Sequence, residues 1–242
     1  MTIVLLAMAA LGANAQNIQL HYDLGRNLYS DEESDRQKVT LTLEQFKADE
    51  WGSWFYFFDV DLTRKTTRSI YTEIAREVKL GQESPFAAHV EYDGGLWHAP
   101  SLGDGSYQQA GLAGFAFNGH NADFSKTWSV QALYKQFFKS YAGTRAYASF
   151  QLTGVWGLNF FDGQLTFSGF LDLWRGEKGG NYPAGEQGHG MLVLLTEPQL
   201  WYNVNKHLSF GTEVEISNNF VINYASDKTF FVNPTLAVKW NL

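Results

Sequence analysis

Apolar and polar residues alternate along most of the chain. In the last segment Phe230, Val232, Leu236, Val238, Trp240 and Leu242 fall on one phase, and Thr235, Lys239 and Asn241 on the other. Residues 206–217 repeat the pattern, with Leu208, Phe210, Val214 and Ile216 against Ser209, Glu213, Glu215 and Ser217. So do residues 69–80, where Ile70, Ile74, Val78 and Leu80 oppose Glu73, Glu77 and Lys79, and Arg76 is a charged exception on the apolar phase. A period of two is that of a β-strand with different surroundings on its two faces. Read this way, the sequence predicts strands near 17–25, 37–47, 52–63, 69–80, 86–94, 107–118, 126–138, 145–156, 164–174, 190–202, 206–217 and 229–242.

Alternation alone does not separate a soluble β-sandwich or lipocalin-like barrel from a membrane barrel. Strand length does. Most of these segments run nine to fourteen residues. A tilted strand that crosses a bilayer needs about ten, whereas soluble strands are usually about five or six long. The connections point the same way. Ala48 to Trp51, Gly81 to Pro85, Gly119 to Ser125, Gly157 to Gly163 and Asn203 to Asn205 are short. Arg26 to Arg36, Gly95 to Ser106 and Arg175 to His189 are longer and richer in glycine and charge. Short turns at one end and long loops at the other predict an all-β fold: a transmembrane antiparallel β-barrel of about twelve strands, with periplasmic turns and extracellular loops. An even strand number puts both termini on the periplasmic side.

Composition sharpens this. Of 242 residues 16% are aromatic, while 18% are charged; mean hydropathy is −0.25. Many rings in a polar chain suit strands with one face in lipid and one in water. The tryptophans, among them Trp51, Trp54, Trp97, Trp128, Trp156, Trp174, Trp201 and Trp240, cluster toward predicted strand ends, as interfacial girdles require. No cysteine is present, which excludes disulfides and thiolate chemistry. A net charge of −7 argues against nucleic acid as a partner. At the N-terminus the apolar run Thr2–Leu11 precedes Ala13-Asn14-Ala15, a small-residue cleavage pattern. A run of about ten apolar residues is half of what a spanning helix needs. Residues 1–15 therefore read as a signal peptide and 16–242 as the barrel, which places the protein in a bacterial outer membrane.

The six histidines show no metal-ligand spacing, and no nucleophile elbow or phosphate loop occurs. The charges are better used to line a lumen. On strand 52–63 one phase, Trp54, Tyr56, Phe58, Val60 and Leu62, is wholly apolar and faces lipid; the other carries Phe55, Phe57, Asp59 and Asp61. Continuing inward, the next strands contribute Tyr71, Glu73, Glu77 and Lys79, then His89, Glu91 and Asp93. Later strands add Gln131, Lys135, Gln151, Asp172 and Trp174. Phe55, Phe57, Asp59, Asp61, Tyr71, Glu73, Glu77, Glu91 and Trp174 are the candidate ligand-contacting residues. Rings beside donors and acceptors suit a planar polar solute.

The segment W-F-Y-F-F-D-V-D (54–61) followed by I-Y-T-E-I-A-R-E-V-K-L (70–80) resembles the Tsx-like nucleoside-specific channel family. The matching positions are Phe57, Phe58 and Asp59, then Tyr71 and Glu73. The stretch 127–138 and the terminal strand are also similar, and the chain looks closer still to a Bacteroidetes outer-membrane family of unknown function related to it. The resemblance implies a monomeric twelve-stranded barrel, without cofactor, that passes nucleosides. The expectation is a channel for small polar solutes surrounded by outer-membrane lipid, not an enzyme. Two alternatives stand beside it: a structural or adhesive barrel whose lumen is plugged, with 95–106 and 175–189 as the loops to fold inward, and an outer-membrane hydrolase.

Overall fold

The computed structural model describes residues 17–82, 84–99, 103–139, 145–178, 189–221 and 225–242. The expected signal peptide, 1–15, and most of the loop at 175–189 lie outside the described residues. The strands are β1 (Asn17–Asp23), β2 (Val39–Asp49), β3 (Gly52–Leu62), β4 (Thr67–Lys79), β5 (Phe86–Ala99), β6 (Gly103–Ser106), β7 (Ala110–His120), β8 (Lys126–Phe137), β9 (Tyr147–Phe160), β10 (Leu165–Lys178), β11 (His189–Thr196), β12 (Gln199–Asn203), β13 (Leu208–Asn218) and β14 (Phe230–Asn241). One short helix, α1 (Gly25–Leu28), sits in the loop after β1. Each strand pairs antiparallel with its neighbours, and β14 pairs back onto β1 in the register Gln19↔Lys239, which closes the sheet.

The wall is a closed antiparallel barrel of twelve strands. Two departures from the alternation account for the extra segments. β11 and β12 are halves of one wall strand, both paired to β10 and β13 and parted at Glu197-Pro198. Pro198 has no N–H to give the ladder, and its carbonyl instead accepts the N–H of Val214 (3.0 Å). Opposite the break, Gly169 adopts φ +146°, and a Cβ there would lie 2.4 Å from the Glu197 carbonyl oxygen. The second departure is β6, which pairs only with the outer end of β5. Within the stretch 95–106, read as a loop that could fold inward, the described residues instead pair as strand, 96–99 with 103–106, and prolong the wall.

The two ends differ as expected. Turns after β2, β4, β7, β9 and β12 are short, and in the first of them the Asp49 carboxylate accepts the N–H groups of Trp51 (2.9 Å) and Gly52 (2.8 Å). The opposite end carries the longer connections, except for the tight one at 63–66.

Burial is inverted relative to a water-soluble protein. Phe115, Val130 and Leu236 are 61%, 56% and 62% exposed on the outer face, whereas Gln19, Ser209, Ser217 and Asn233 are sealed inside. Such a surface is stable only when the outer solvent is apolar, so the barrel spans the outer membrane. No described helix is long and apolar enough to cross; the strands do so. Trp51, Trp54, Trp128 and Trp240 lie on the outer face near the short-turn end, as an interfacial girdle requires. Trp201, read from sequence as part of that girdle, points inward and is fully buried, with Lys239 Nζ 3.9 Å from its ring centroid. Arg76, the exception on the apolar phase, is held at the rim by Asp49 (2.7 Å) and lies over Trp54.

The outward assignment has a direct consequence. Val130 lies near the middle of β8, between Phe117 and Gly154. Val130→Arg is expected to cost about 2–4 kcal/mol when urea unfolding from lipid vesicles is followed by tryptophan fluorescence. A near-neutral change would mean that this face sees water.

Candidate functional site

The inner faces of β3, β4 and β5 form one continuous patch. Period-two geometry places Phe55, Phe57, Asp59 and Asp61 on it from β3, and the ladder aligns Phe57 with Glu73, Asp59 with Tyr71 and Asp61 with Ser69. One strand further, Glu73 faces Asp93 and Glu77 faces His89. Eight of the nine candidate residues thus share one sector of the interior. The ninth, Trp174, is on β10 and is linked to the sector through Lys135, whose Nζ lies 5.1 Å from its ring centroid.

The rings form a file along the wall. Centroids are 6.0 Å apart from Phe55 to Phe57, 6.0 Å from Phe57 to Tyr71 and 5.9 Å from Tyr71 to Tyr107. Tyr107, from the segment before β7, extends the file to the long-loop end. Carboxylates run beside it. Asp59 accepts the Thr42 hydroxyl. Asp61 accepts Thr40 Oγ1 (2.7 Å) and Ser69 Oγ (2.6 Å), and Glu73 accepts the Tyr71 hydroxyl (2.9 Å). Neither Asp59 nor Glu73 pairs with the cations of β4: Arg76 is taken by Asp49, and Lys79 is exposed at the end of its strand.

His89 is buried between Glu77 (3.3 Å) and Glu91 (2.9 Å), a structural role. Lys135 bonds Asp93 (2.9 Å) and Gln151 (2.7 Å). His89 and the Lys135 cation face six carboxylates on β3–β5: Asp59, Asp61, Glu73, Glu77, Glu91 and Asp93. The sector is therefore electronegative, and a narrow low-dielectric passage concentrates that field. The adjoining strands differ: Ala110, Leu112, Leu133 and Phe137 pack together on the inner face of β7 and β8, with Tyr147 and Trp174 against them. The acidic sector thus borders directly on an apolar cluster along the wall.

Sequence reasoning missed the group that closes in from the β1–β2 loop. Arg36 reaches inside to Asp23 (2.9 Å), Glu33 (3.4 Å) and Glu215 (3.0 Å). Asn233 Nδ2 donates to Glu33 Oε1 (2.9 Å), and Tyr29 packs on Phe231 with centroids 5.1 Å apart. Burial raises the Glu33 carboxyl above its ordinary range, against the pull of Arg36. Gly25 lets α1 approach β14, since a Cβ there would lie 2.3 Å from Asn233 Oδ1. The only sequence signal was the acid-rich run with Arg36 at its end, which reads equally as a solvated loop. At the short-turn end a cavity of about 630 Å³ opens, lined by Asn17, Glu44, Asn203, Lys239 and Asn241 among others.

A family model described as "Domain of unknown function (DUF5020)" matches residues 15–242. No curated protein matches the chain. Among solved structures it is similar to the NanC porin, at 12% identity and TM-score 0.57, over 93% of this chain and 99% of that one. It is also similar to the KdgM porin (10% identity, 93% and 98% covered, TM-score 0.49) and to LpxR from Salmonella typhimurium (9%, 93% and 99%, TM-score 0.48). At these identities the first likeness bears on the fold alone.

Proposed function

The chain belongs to the DUF5020 family, and we propose that it acts there as a passive outer-membrane channel for small polar solutes, with nucleosides as the solute. The observation that carries this reading is the aromatic file Phe55–Phe57–Tyr71–Tyr107 running beside Asp59, Asp61 and Glu73. Ring faces take up a planar base without demanding one sequence of contacts, and carboxylates accept hydrogen bonds from ribose hydroxyls and exocyclic amines. Neutral nucleosides escape the electrostatic penalty that this wall imposes on anions. A twelve-stranded wall lies between filled eight-stranded barrels and open sixteen-stranded porins, which suits a narrow selective path. The name of the NanC neighbour, a porin, agrees with this use of the fold. One chain closes the barrel, so a monomer suffices, and the reading assigns no catalytic step and no cofactor.

Swelling of liposomes that contain the refolded protein tests the solute. Uridine and adenosine are expected to enter about tenfold faster than a monoanionic sugar acid of similar size. Equal rates would remove the selectivity; swelling with neither would remove the channel.

A second reading has a specific observation in its favour. The loop at 24–38 folds into the long-loop end and is fastened there through Arg36. A structural barrel with an occluded lumen would carry such a plug.

A further inference from the structure

We propose that the inner wall holds a divalent metal ion, Ca²⁺ by its chemistry, between Glu73, Glu91 and Asp93. These three side chains come from adjacent strands, β4 and β5, and each offers a carboxylate oxygen within 4.8 Å of the others. Oxygens across a single Ca²⁺ sphere, at bond lengths of about 2.4 Å, are about 5 Å apart at most, so one ion reaches all three once the side chains draw in by a few tenths of an ångström. An all-carboxylate set, without sulfur or imidazole, selects a hard cation.

An acidic cluster alone would not support a site. The second observation is Asp93. It is 4% exposed, and its Oδ2 bonds Lys135, but its Oδ1 is buried with no hydrogen-bond donor among the described residues. A carboxylate oxygen sealed from water with no donor is costly, and this one belongs to a side chain that converges on two further acids. A bound cation supplies the missing partner.

Charge leads to the same place. Glu73, Glu91 and Asp93, with Asp172 nearby on β10, have Lys135 as their close cation, and His89 bonds Glu91 from the other side. Thr153 already donates to Asp172, so Asp172 does not need the metal. A divalent ion balances most of the remaining negative charge, and the flexible geometry of Ca²⁺ suits side chains on a twisted wall better than the rigid octahedron of Mg²⁺. The site does not depend on the channel reading, because a wall site binds its ion whether or not solute passes.

The test uses the refolded full barrel in detergent, titrated with Tb³⁺ and then with CaCl₂. The Tyr71 hydroxyl bonds Glu73 (2.9 Å), so excitation of tyrosine is expected to sensitise Tb³⁺ emission, which Ca²⁺ then displaces at one ion per barrel and Mg²⁺ displaces at least tenfold less effectively. Glu73→Gln with Glu91→Gln keeps the Lys135–Asp93 pair and is expected to weaken Ca²⁺ at least tenfold, with folding checked by heat-modifiable gel mobility. Absence of displaceable emission in the wild type overturns the proposal without any variant. Unchanged Ca²⁺ affinity in the folded double variant overturns it too, and equal displacement by Mg²⁺ overturns the assignment of Ca²⁺.

Discussion

Replacing Asp59 by Asn and Glu73 by Gln together is expected to lower the cation-over-anion permeability ratio about tenfold, read as a shift of reversal potential in a salt gradient. At about 6 Å and with water-like screening, one carboxylate attracts a monovalent cation by about 0.7 kcal/mol, roughly a threefold effect. Two such groups give the product. Residual cation preference remains, because Asp61, Glu77 and Glu91 stay on the same face of β3–β5. The effect is therefore a reduction and not a loss, because further carboxylates share the wall. An unchanged reversal potential in the folded variant would make these residues wall and not filter.

The second large effect concerns the loop fastened inside the barrel. Arg36→Ala leaves Asp23, Glu33 and Glu215 without the guanidinium that bridges them. Removing one member of a buried ion network costs about 3–5 kcal/mol, and the lower end applies because the Arg36 side chain is 23% exposed. The loss is expected to fall on loop docking before it falls on the wall, since the closing pair β1–β14 does not use Arg36. Conductance should therefore rise severalfold while heat-modifiable mobility persists. An unchanged conductance would show that the loop does not constrict the path.

How much was legible follows from what the alternation reports. Every wall strand separates lipid from interior, so Ile70, Ile74 and Val78 against Tyr71, Glu73 and Glu77 gave both the strand and its facing, and the structure keeps that facing. The twelve strands were legible for the same reason. Pro198 was visible in the sequence, but a single proline inside a strong alternating run does not announce that the strand parts there into two segments that keep the same two neighbours. The pairing of β6 with β5 was hidden because β6, Gly-Asp-Gly-Ser, has no alternation; in that pair Trp97 lies over Gly105. Trp201 misled for a different reason. A tryptophan near a strand end fits both an interfacial girdle and a cation–π partner of Lys239, and only the phase relative to Ser209 and Asn203 decides.

The candidate patch was legible as a face but not as a network. Period two placed Phe57, Asp59, Tyr71 and Glu73 together. It put Lys135 and Gln151 on the inner face as well, but gave neither the bonds Lys135 makes to Asp93 and Gln151 nor the Thr42 hydroxyl that reaches Asp59. The loop at 24–38 was least legible: it has no period, and its inward fold depends on a glycine, an arginine and their partners on β13 and β14, roughly two hundred residues later in the chain.

Single-channel recording of the refolded wild-type barrel in a planar bilayer tests the central claim most directly. The account predicts discrete conductance steps that prefer cations and are blocked by added nucleoside in a concentration-dependent way. A correctly folded, inserted barrel that gives no steps under any applied voltage would contradict it.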